Sequence, residues 1–295
     1  MIVVLLNPAA GLTQTQDRAG VIARLFEAAG APARIVTLGA GADTHAAVHA
    51  AVAGGAAAVV AAGGDGTVSR VAAELAGGAT PLGVVPLGTL NHFAKDLHIP
   101  LELPLAVAAI VAAHTTRVDV GEVNGQRFVN NSSIGVYPDI VVERERLRTL
   151  GSRKWTAAAV ASARVMRAYR GLRVRLQAGS AQERARTPFV FVGNNAYETE
   201  GLRLGTRARL DGGTLLAYLA PRLHARDLPG LLALALAGRV RQSQTLESFP
   251  AADLEIDTPG RRRLRVALDG EVRVLATPLR YRMLPLALTV IVPAR

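Results

Sequence analysis

The chain has 295 residues and half of them are hydrophobic, so it can bury the core of two modest domains or of one large one. It has no cysteine, which excludes disulfides and thiolate metal sites and suits a reducing compartment; residues 2–6 are too short an apolar run for a signal peptide. The net charge is +11, but only 4% of the residues are aromatic and no helix-turn-helix or zinc-finger motif accompanies the charge, so we expect no nucleic-acid partner.

The first third of the chain alternates predicted strands with predicted helices. Uncharged residues 44–64 reach the crude length of a membrane span, but Gly54-Gly55 divides them and alanine is abundant, so a helix followed by a strand is predicted there instead. An alternating order of strands and helices implies a parallel sheet with helices on both faces. The patterns predict strands at 2–6, 34–38, 56–62 and around 83, and helices at 16–29, from 43 or 44 to 53, after 67, and from 104 to 113.

Three loops each follow one of these strands: Asn7-Pro8-Ala9-Ala10-Gly11, Gly63-Gly64-Asp65-Gly66-Thr67, and residues 86–97, which read PLGTLNHFAKDL. Because such sheets bind ligands beyond the carboxyl ends of their strands, we expect the three loops to share one site. The strand-to-helix junction at 63–67 exposes backbone N–H groups and the positive end of a helix, which suits a phosphate. Asp65 cannot attract phosphate directly, and it fits a metal ion that bridges phosphate oxygens.

From about residue 117 the pattern changes to alternation with a period of two, which predicts a β-rich second domain. Asn124-Gly125 predicts a hairpin turn, and the clean alternation at 172–177 predicts a further strand. Helices are predicted near 141–170 and 226–236, and the apolar, β-branched run at 286–292 predicts a last strand.

The motifs NPxxG, GGDGT and PLGTxNxFAxxL, in this order, together with Asp269-Gly270-Glu271, resemble the diacylglycerol kinase catalytic family, which includes bacterial lipid kinases and the sphingosine kinases. The resemblance extends over essentially the whole chain. It implies a Rossmann-like parallel α/β nucleotide-binding domain at 1–116 and a β-sandwich-like lipid-acceptor domain at 117–276. It also implies a C-terminal segment at 277–295 that packs back near the first domain.

The resemblance also implies the residues of a site that uses ATP and Mg²⁺. Asp65 would hold Mg²⁺ through water, and phosphoryl transfer would occur in a cleft between the domains. The nucleotide would be bound by Asn7, Pro8, Gly11, Thr37, Gly63, Gly64, Asp65, Gly66, Thr67, Gly88, Thr89 and Asn91.

Asp269 is the first choice as the general base that takes the proton of the acceptor hydroxyl, with Glu271 as its support. If the segment were a continuous strand, positions 269 and 271 would share one side. Asp-Gly is also a common hairpin turn, which is the preferred interpretation without the family resemblance.

Asp211 lies in a segment, LDGGTL, in which many relatives carry a second acid after the first, and some of them bind a structural Mg²⁺ there. In this chain Gly212 takes the place of the second acid. A metal at Asp211 is therefore an open expectation, while a turn at this point is predicted in either case.

The sequence therefore predicts an ATP-dependent lipid kinase that acts on a diacylglycerol-like lipid. Two alternatives stay open. An NAD kinase-like enzyme shares GGDGT but does not explain the other motifs, and a catalytically silent regulator is opposed by the intact Asp65, Asp269 and Glu271 but kept open by Gly212. Diacylglycerol, phosphatidylglycerol, a sphingoid base and a polyprenol all remain open as acceptors.

Arginines and one lysine cluster at 144–170 and at 261–265. Attraction to an anionic membrane, where the lipid substrate resides, explains this charge as well as general basicity does. We therefore expect a cytoplasmic protein that associates peripherally with the membrane. Its oligomeric state is open, with a homodimer among the options.

Overall fold

The computed structural model describes residues 1–10, 17–39, 43–149, 160, 164–165, 169, 171–197, 206–220, 227 and 247–294. Gly11 lies outside these ranges. So do most of residues 150–170 of the helix predicted near 141–170, and all of the helix predicted near 226–236 except residue 227. The chain divides into two compact units. The first unit comprises Met1–Val120, Arg209–Asp211 and Leu284–Arg295, and the second comprises Gly121–Ala208 and Gly212–Met283.

The first unit alternates strands and helices as the sequence predicts. Its strands are β1 (Ile2–Leu6), β2 (Ala33–Thr37), β3 (Ala58–Gly63) and β4 (Leu82–Pro86). Its helices are α1 (Arg18–Ala28), α2 (Thr44–Ala53), α3 (Asp65–Leu75), α4 (His92–Asp96) and α5 (Leu103–Ala112).

These four strands pair in parallel in the order β2-β1-β3-β4. Every residue of β3 and β4 is buried, as expected for strands of a parallel sheet that is covered on both faces. The core joins strand residues such as Val4 and Val60 to Ile22 and Phe26 of α1. This sheet places the ends of β1, β3 and β4 side by side.

The helix boundaries follow local capping chemistry. The Asp43 carboxylate accepts the N–H of Ala46 and caps α2, as predicted, and Pro104 lies in the first turn of α5. Because α2 ends at Ala53 and β3 begins at Ala58, the uncharged stretch at 44–64 is a helix and a strand. Among the described residues, none of the helices combines the length and the apolar character that a membrane crossing requires.

The second unit is built mainly of antiparallel strands. Its described elements, with β5 and β16 extending into the first unit, are β5 (Thr115–Val123), β6 (Gln126–Phe128), β7 (Asn131–Gly135), α6 (Val136–Thr149), β8 (Leu172–Ala178), β9 (Ala181–Thr187), β10 (Phe189–Asn194), β11 (Leu215–Leu219), β12 (Glu247–Ala251), β13 (Asp253–Asp257), β14 (Arg263–Leu268), β15 (Glu271–Ala276) and β16 (Leu279–Ile291).

One sheet of this unit has the order β12-β11-β10-β7-β14-β15, and β13 and β8 lie in another. Side chains from both sheets share one core, which includes Ile134, Val192, Leu176 and Ile256. The predicted hairpin is present: β5 and β6 are antiparallel, and their turn residues Asn124 and Gly125 have φ values of 47° and 79°. The predicted fold class, a parallel α/β domain followed by a β-rich one, is confirmed.

The last strand returns to the first unit, as the resemblance implies. From Leu284 onward the chain belongs to that unit. Val290 of β16 pairs in parallel with Leu82 of β4, and the buried Asp119 carboxylate accepts the N–H of Leu286 at 2.8 Å.

Candidate active site

The loops after β1, β3 and β4 are joined by backbone hydrogen bonds in the first unit. The N–H of Asn7 donates to the carbonyl of Ala62, and the N–H of Leu87 donates to the carbonyl of Gly63, both at 2.9 Å. The structure therefore brings the first, second and third motifs together at one edge of the sheet.

Asn7 connects the first motif to the second through its side chain. Its Nδ2 donates to Thr67 Oγ1 at 3.0 Å, while its Oδ1 accepts the N–H of Ala9 at 3.1 Å. The same Thr67 packs on Gly63, where an added Cβ would lie 2.5 Å from the Cβ of Thr67. Glycine at 63 and threonine at 67 are therefore matched to each other by close packing.

The second and third motifs meet through their glycines. A Cβ on Gly88 would lie 2.7 Å from the Cα of Gly64 and 2.6 Å from Oδ1 of Asn91. Gly64 is also the N-cap of α3, and no side chain caps that helix. The first turn of α3 therefore offers backbone N–H groups and a positive dipole end, which suit a phosphate.

Asp65 receives two backbone donors from the third motif. Its Oδ2 accepts the N–H of Asn91 at 2.9 Å, and its Oδ1 accepts the N–H of His92 at 2.7 Å. The carboxylate therefore caps the short helix α4. A carboxylate offers about four lone-pair sites, so two remain, and a hydrated Mg²⁺ fits there.

Asn91 shapes the third motif. It is buried with φ of 52°, its Nδ2 donates to the carbonyl of Gly88, and its Oδ1 accepts the N–H of Gly88, both at 3.0 Å. Its neighbour Thr89 is exposed, and so is Thr37 at the end of β2, opposite Leu6. These two hydroxyls are accessible at the same edge of the sheet.

Arg18 contacts the first motif. Its guanidinium donates to the carbonyl of Ala10, and this hydrogen bond links α1 to the loop that contains Pro8. The sequence pattern alone does not predict this contact.

In the second unit, Asp269 and Gly270 form the two-residue turn between β14 and β15, with φ values of 47° and 86°. Glu271 is the first residue of β15 and pairs with Leu268. The segment is therefore not a continuous strand, because residue 269 lies in a turn and has a left-handed backbone conformation. The expectation that residues 269 and 271 share one side of a strand is wrong.

The carboxylate of Asp269 is surrounded by backbone donors. Its Oδ1 accepts the N–H groups of Asn130 and Asn131 at 2.8 and 2.9 Å, and its Oδ2 accepts that of Val129 at 2.9 Å. These donors stabilise the ionised carboxylate and occupy three of its roughly four lone-pair sites. Asp269 therefore fixes the loop at 129–131.

A buried arginine holds the same loop from its carbonyl side. Arg207 is 4% exposed, and its guanidinium donates to the carbonyls of Val129 and Asn194 and to Oδ1 of Asn130 at 2.6, 3.0 and 2.8 Å. It also lies over the ring of Tyr197, 5.5 Å from the centroid. Sequence reasoning missed Arg207, because nothing in its local pattern distinguishes it from the many surface arginines.

The segment at 210–215 contains Asp211, the second candidate metal ligand. Asp211 is exposed and pairs with Arg209 at 3.0 Å, and among the described residues it belongs to no group of three His, Cys, Asp or Glu ligands. Gly212 donates its N–H to Oδ1 of Asn195 at 3.0 Å, and a Cβ there would approach that oxygen to 2.7 Å. The replacement of the second acid by glycine is thus matched by close packing against Asn195.

Comparisons with known proteins agree with this architecture. Residues 1–123 match the model of the diacylglycerol kinase catalytic domain, and residues 134–292 match that of the YegS C-terminal NAD kinase beta sandwich-like domain. The chain is 31% identical over 256 residues to a probable lipid kinase YegS-like protein of Pseudomonas aeruginosa, covering 85% of this chain and 82% of that one.

A second relative, the probable lipid kinase YegS-like protein of Pectobacterium atrosepticum, is 32% identical over 238 residues, which are 78% of this chain and 76% of that one. Among solved structures, a diacylglycerol kinase from Bacillus anthracis str. Sterne has a TM-score of 0.69 at 20% identity, covering 99% of this chain and 96% of that one. The matched family model and these relatives place the chain in the kinase class of enzymes. The chain belongs to the diacylglycerol kinase family of lipid kinases, with a YegS-type C-terminal domain.

Proposed function

We propose that the protein is an ATP-dependent lipid kinase that phosphorylates a hydroxyl of a diacylglycerol-like lipid. The observation that carries this proposal is the joining of three loops at the edge of one sheet. The contact of Asn7 with Thr67 and the contacts of Asp65 with Asn91 and His92 connect all three. Such an edge of a parallel sheet, with an uncapped helix N-terminus, suits the phosphates of a nucleotide.

The proposed nucleotide site uses the backbone of Gly64 and Gly66 and the first turn of α3 for the phosphates. Asp65 would hold Mg²⁺ through its two remaining lone-pair sites, and this ion would supply positive charge to the phosphate oxygens. Asn7 holds Thr67 in place, and the exposed Thr89 and Thr37 are available for further polar contacts.

The proposed acceptor site uses Asp269 and Glu271. A base must be ionised before it can accept a proton, and the three backbone donors keep Asp269 in that form. Asp269 would receive the proton of the lipid hydroxyl as the phosphoryl group is transferred. Glu271, next to the turn, is the alternative base.

An NAD kinase-like activity is the second candidate, because the C-terminal half matches a domain described as NAD kinase beta sandwich-like. The relatives that match over most of the chain are named lipid kinases, which favours a lipid acceptor. A silent regulator is the third candidate. It predicts nucleotide binding without transfer.

Because a lipid acceptor resides in a membrane, we propose that the protein associates peripherally with the cytoplasmic surface of the membrane. The described basic side chains of the 144–170 cluster are largely paired: Arg146 and Arg164 both contact Glu143, and Arg144 contacts Glu145. In contrast, Arg261, Arg262 and Arg263 are exposed, and none of the described acids forms an ion pair with them. We propose the 261–263 arginines as the main attraction to anionic lipid.

The experiment that tests this function incubates the protein with Mg²⁺, γ-labelled ATP and, separately, diacylglycerol, phosphatidylglycerol, a sphingoid base, a polyprenol and NAD. We expect label in one lipid and none in NAD, and we expect Asp65→Asn to abolish it. Label in NAD alone would establish the second candidate. ATP binding without transfer to any acceptor would favour the silent regulator.

A further inference from the structure

Two histidines and a glutamate form a cluster on the surface of the first unit, away from the three loops. His45 and His49 are one turn apart on α2, and Glu74 lies on the neighbouring helix α3. Oε2 of Glu74 lies 2.7 Å from Nδ1 of His45 and 3.7 Å from Nε2 of His49. One ligand atom from each residue lies within 4.8 Å of the other two.

These distances are close to those of a metal site. Zinc binds imidazole nitrogen at about 2.0–2.1 Å and carboxylate oxygen at about 2.0–2.2 Å, so tetrahedral ligand atoms lie about 3.4 Å apart. The separation of His49 from Glu74 is already near that value, and the separation of His45 from Glu74 needs to open by less than an ångström. Both histidine side chains are more than 60% exposed, so they are free to rotate by that amount.

The donor set identifies the class of ion. Two imidazoles and one carboxylate suit Zn²⁺ and similar transition metals, whereas Mg²⁺ and Ca²⁺ prefer oxygen ligands alone. Glu74 is nine residues after Asp65 on the same helix, which separates their backbones by about 13 Å along the axis. The cluster is therefore distinct from the Mg²⁺ site proposed at Asp65.

We propose that His45, His49 and Glu74 form a binding site for one Zn²⁺ ion that links α2 to α3. The fourth position, facing solvent, takes water. Because the ligands come from two helices and are gathered only in the folded protein, Zn²⁺ stabilises the first unit against unfolding. The site makes no use of the nucleotide or of the lipid, so it stands independently of the proposed function.

The test titrates Zn²⁺ into the tag-free, chelator-treated full chain by calorimetry, and repeats the titration with Mg²⁺ and Ca²⁺. The variants are His45→Ala, His49→Ala and Glu74→Gln. His114→Ala is the matched control, because it removes an exposed histidine of the same unit that lies outside the cluster. Thermal unfolding of each protein with and without Zn²⁺ gives a second readout.

We expect one Zn²⁺ per chain in the wild type and in His114→Ala, with a raised midpoint of thermal unfolding. Removing a residue that hydrogen-bonds to a metal ligand typically lowers metal affinity by about 10–100-fold. Removing a ligand itself, as each variant does, is expected to lower the Zn²⁺ affinity by at least that factor. Wild-type Zn²⁺ affinity in both histidine variants would overturn the proposal. So would equal binding of Mg²⁺, since that would point to a site built from oxygen ligands.

Discussion

The carboxylate of Asp65 caps the backbone N–H of His92 at 2.7 Å, across 27 positions of sequence. With the bond from Asn91, this contact fixes the third motif on the first turn of α3. The acid in the glycine-rich loop therefore has a structural task in addition to the metal role proposed for it. The two tasks can be separated by measurement.

Asp65→Asn is expected to abolish turnover and to leave the chain folded. The amide lacks the negative charge that binds a metal ion. In addition, its NH2 group replaces one of the two oxygens that accept the N–H groups of Asn91 and His92, so one of these hydrogen bonds is lost and the start of α4 is loosened. Loss of a cap of this kind costs about 0.5–2 kcal/mol, which a domain tolerates. Hydrogen exchange should therefore accelerate at Asn91 and His92 while the global unfolding midpoint shifts only slightly.

The matched control for that variant is Asp43→Asn, which changes the N-cap of α2 in the same unit and retains a good cap. It should keep wild-type turnover. Turnover at the wild-type rate in Asp65→Asn would show that Asp65 has only the capping role.

Asp269→Asn is expected to lower kcat by about 10²–10⁴-fold, the usual contribution of a general base, with little change in KM for ATP. Asn-Gly favours the same turn as Asp-Gly, so the hairpin should persist. The parallel variant is Glu271→Gln. A loss below about tenfold in Asp269→Asn, with a larger loss in Glu271→Gln, would transfer the role of base to Glu271.

Arg207→Lys is expected to destabilise the second unit by at least about 2 kcal/mol. Lysine carries its donors on a single nitrogen, whereas the acceptors of Arg207 contact both Nη1 and Nη2. Each buried acceptor left without a partner costs about 1–3 kcal/mol. Urea unfolding measures this. Arg209→Lys changes a neighbouring arginine that is 72% exposed and should stay within about 0.5 kcal/mol of the wild type. Equal stability of both variants would mean that the loop at 129–131 is held without Arg207.

The side-chain hydrogen bond from Arg146 lowers the pKa of Glu143 to about 2, from an ordinary value of 4.5; Arg164 contributes in the same direction, against desolvation. A lowered pKa means that the stabilisation by these pairs is present above pH 4.5 and is lost as the pH falls through about 2. NMR titration of the Glu143 carboxyl should show this midpoint. Arg146→Gln should move it upward, and an unchanged midpoint would exclude Arg146 as the main cause.

Vesicle binding is expected to depend on the arginines at 261–263. A basic side chain near an anionic surface contributes about 1 kcal/mol, and salt screens the attraction over about 8 Å. Binding to anionic vesicles should therefore fall with added salt, and changing all three arginines to glutamine should weaken it strongly. The control Arg144→Gln/Arg146→Gln removes paired arginines and should have a smaller effect. Equal sedimentation with neutral and anionic vesicles would contradict this proposal.

The sheet and the edge at which its three loops meet could be predicted from the sequence because they depend on local patterns. A strand-to-helix loop is indicated by the apolar strand at Ala58–Gly63 and the glycines that follow it, whatever the rest of the fold is. The contacts that complete the site could not be predicted in this way. The bonds from Asn91 and His92 to Asp65 join two loops, and the three donors to Asp269 come from about 140 residues earlier in the chain.

The histidine cluster shows the same limit. The spacing of His45 and His49 already places both on one face of a helix, because side chains four apart are neighbours. Glu74 joins them only through the packing of α2 on α3, which no local pattern reveals.

We propose that this chain moves the γ-phosphoryl group of ATP to a lipid hydroxyl. The most direct measurement follows labelled ATP and diacylglycerol in anionic vesicles with excess enzyme and Mg²⁺, and counts ADP and labelled lipid in the same sample. We expect equal amounts of the two products in the wild type, and neither product in Asp65→Asn. ADP formed without labelled lipid, across diacylglycerol and the other hydroxyl lipids, would contradict it.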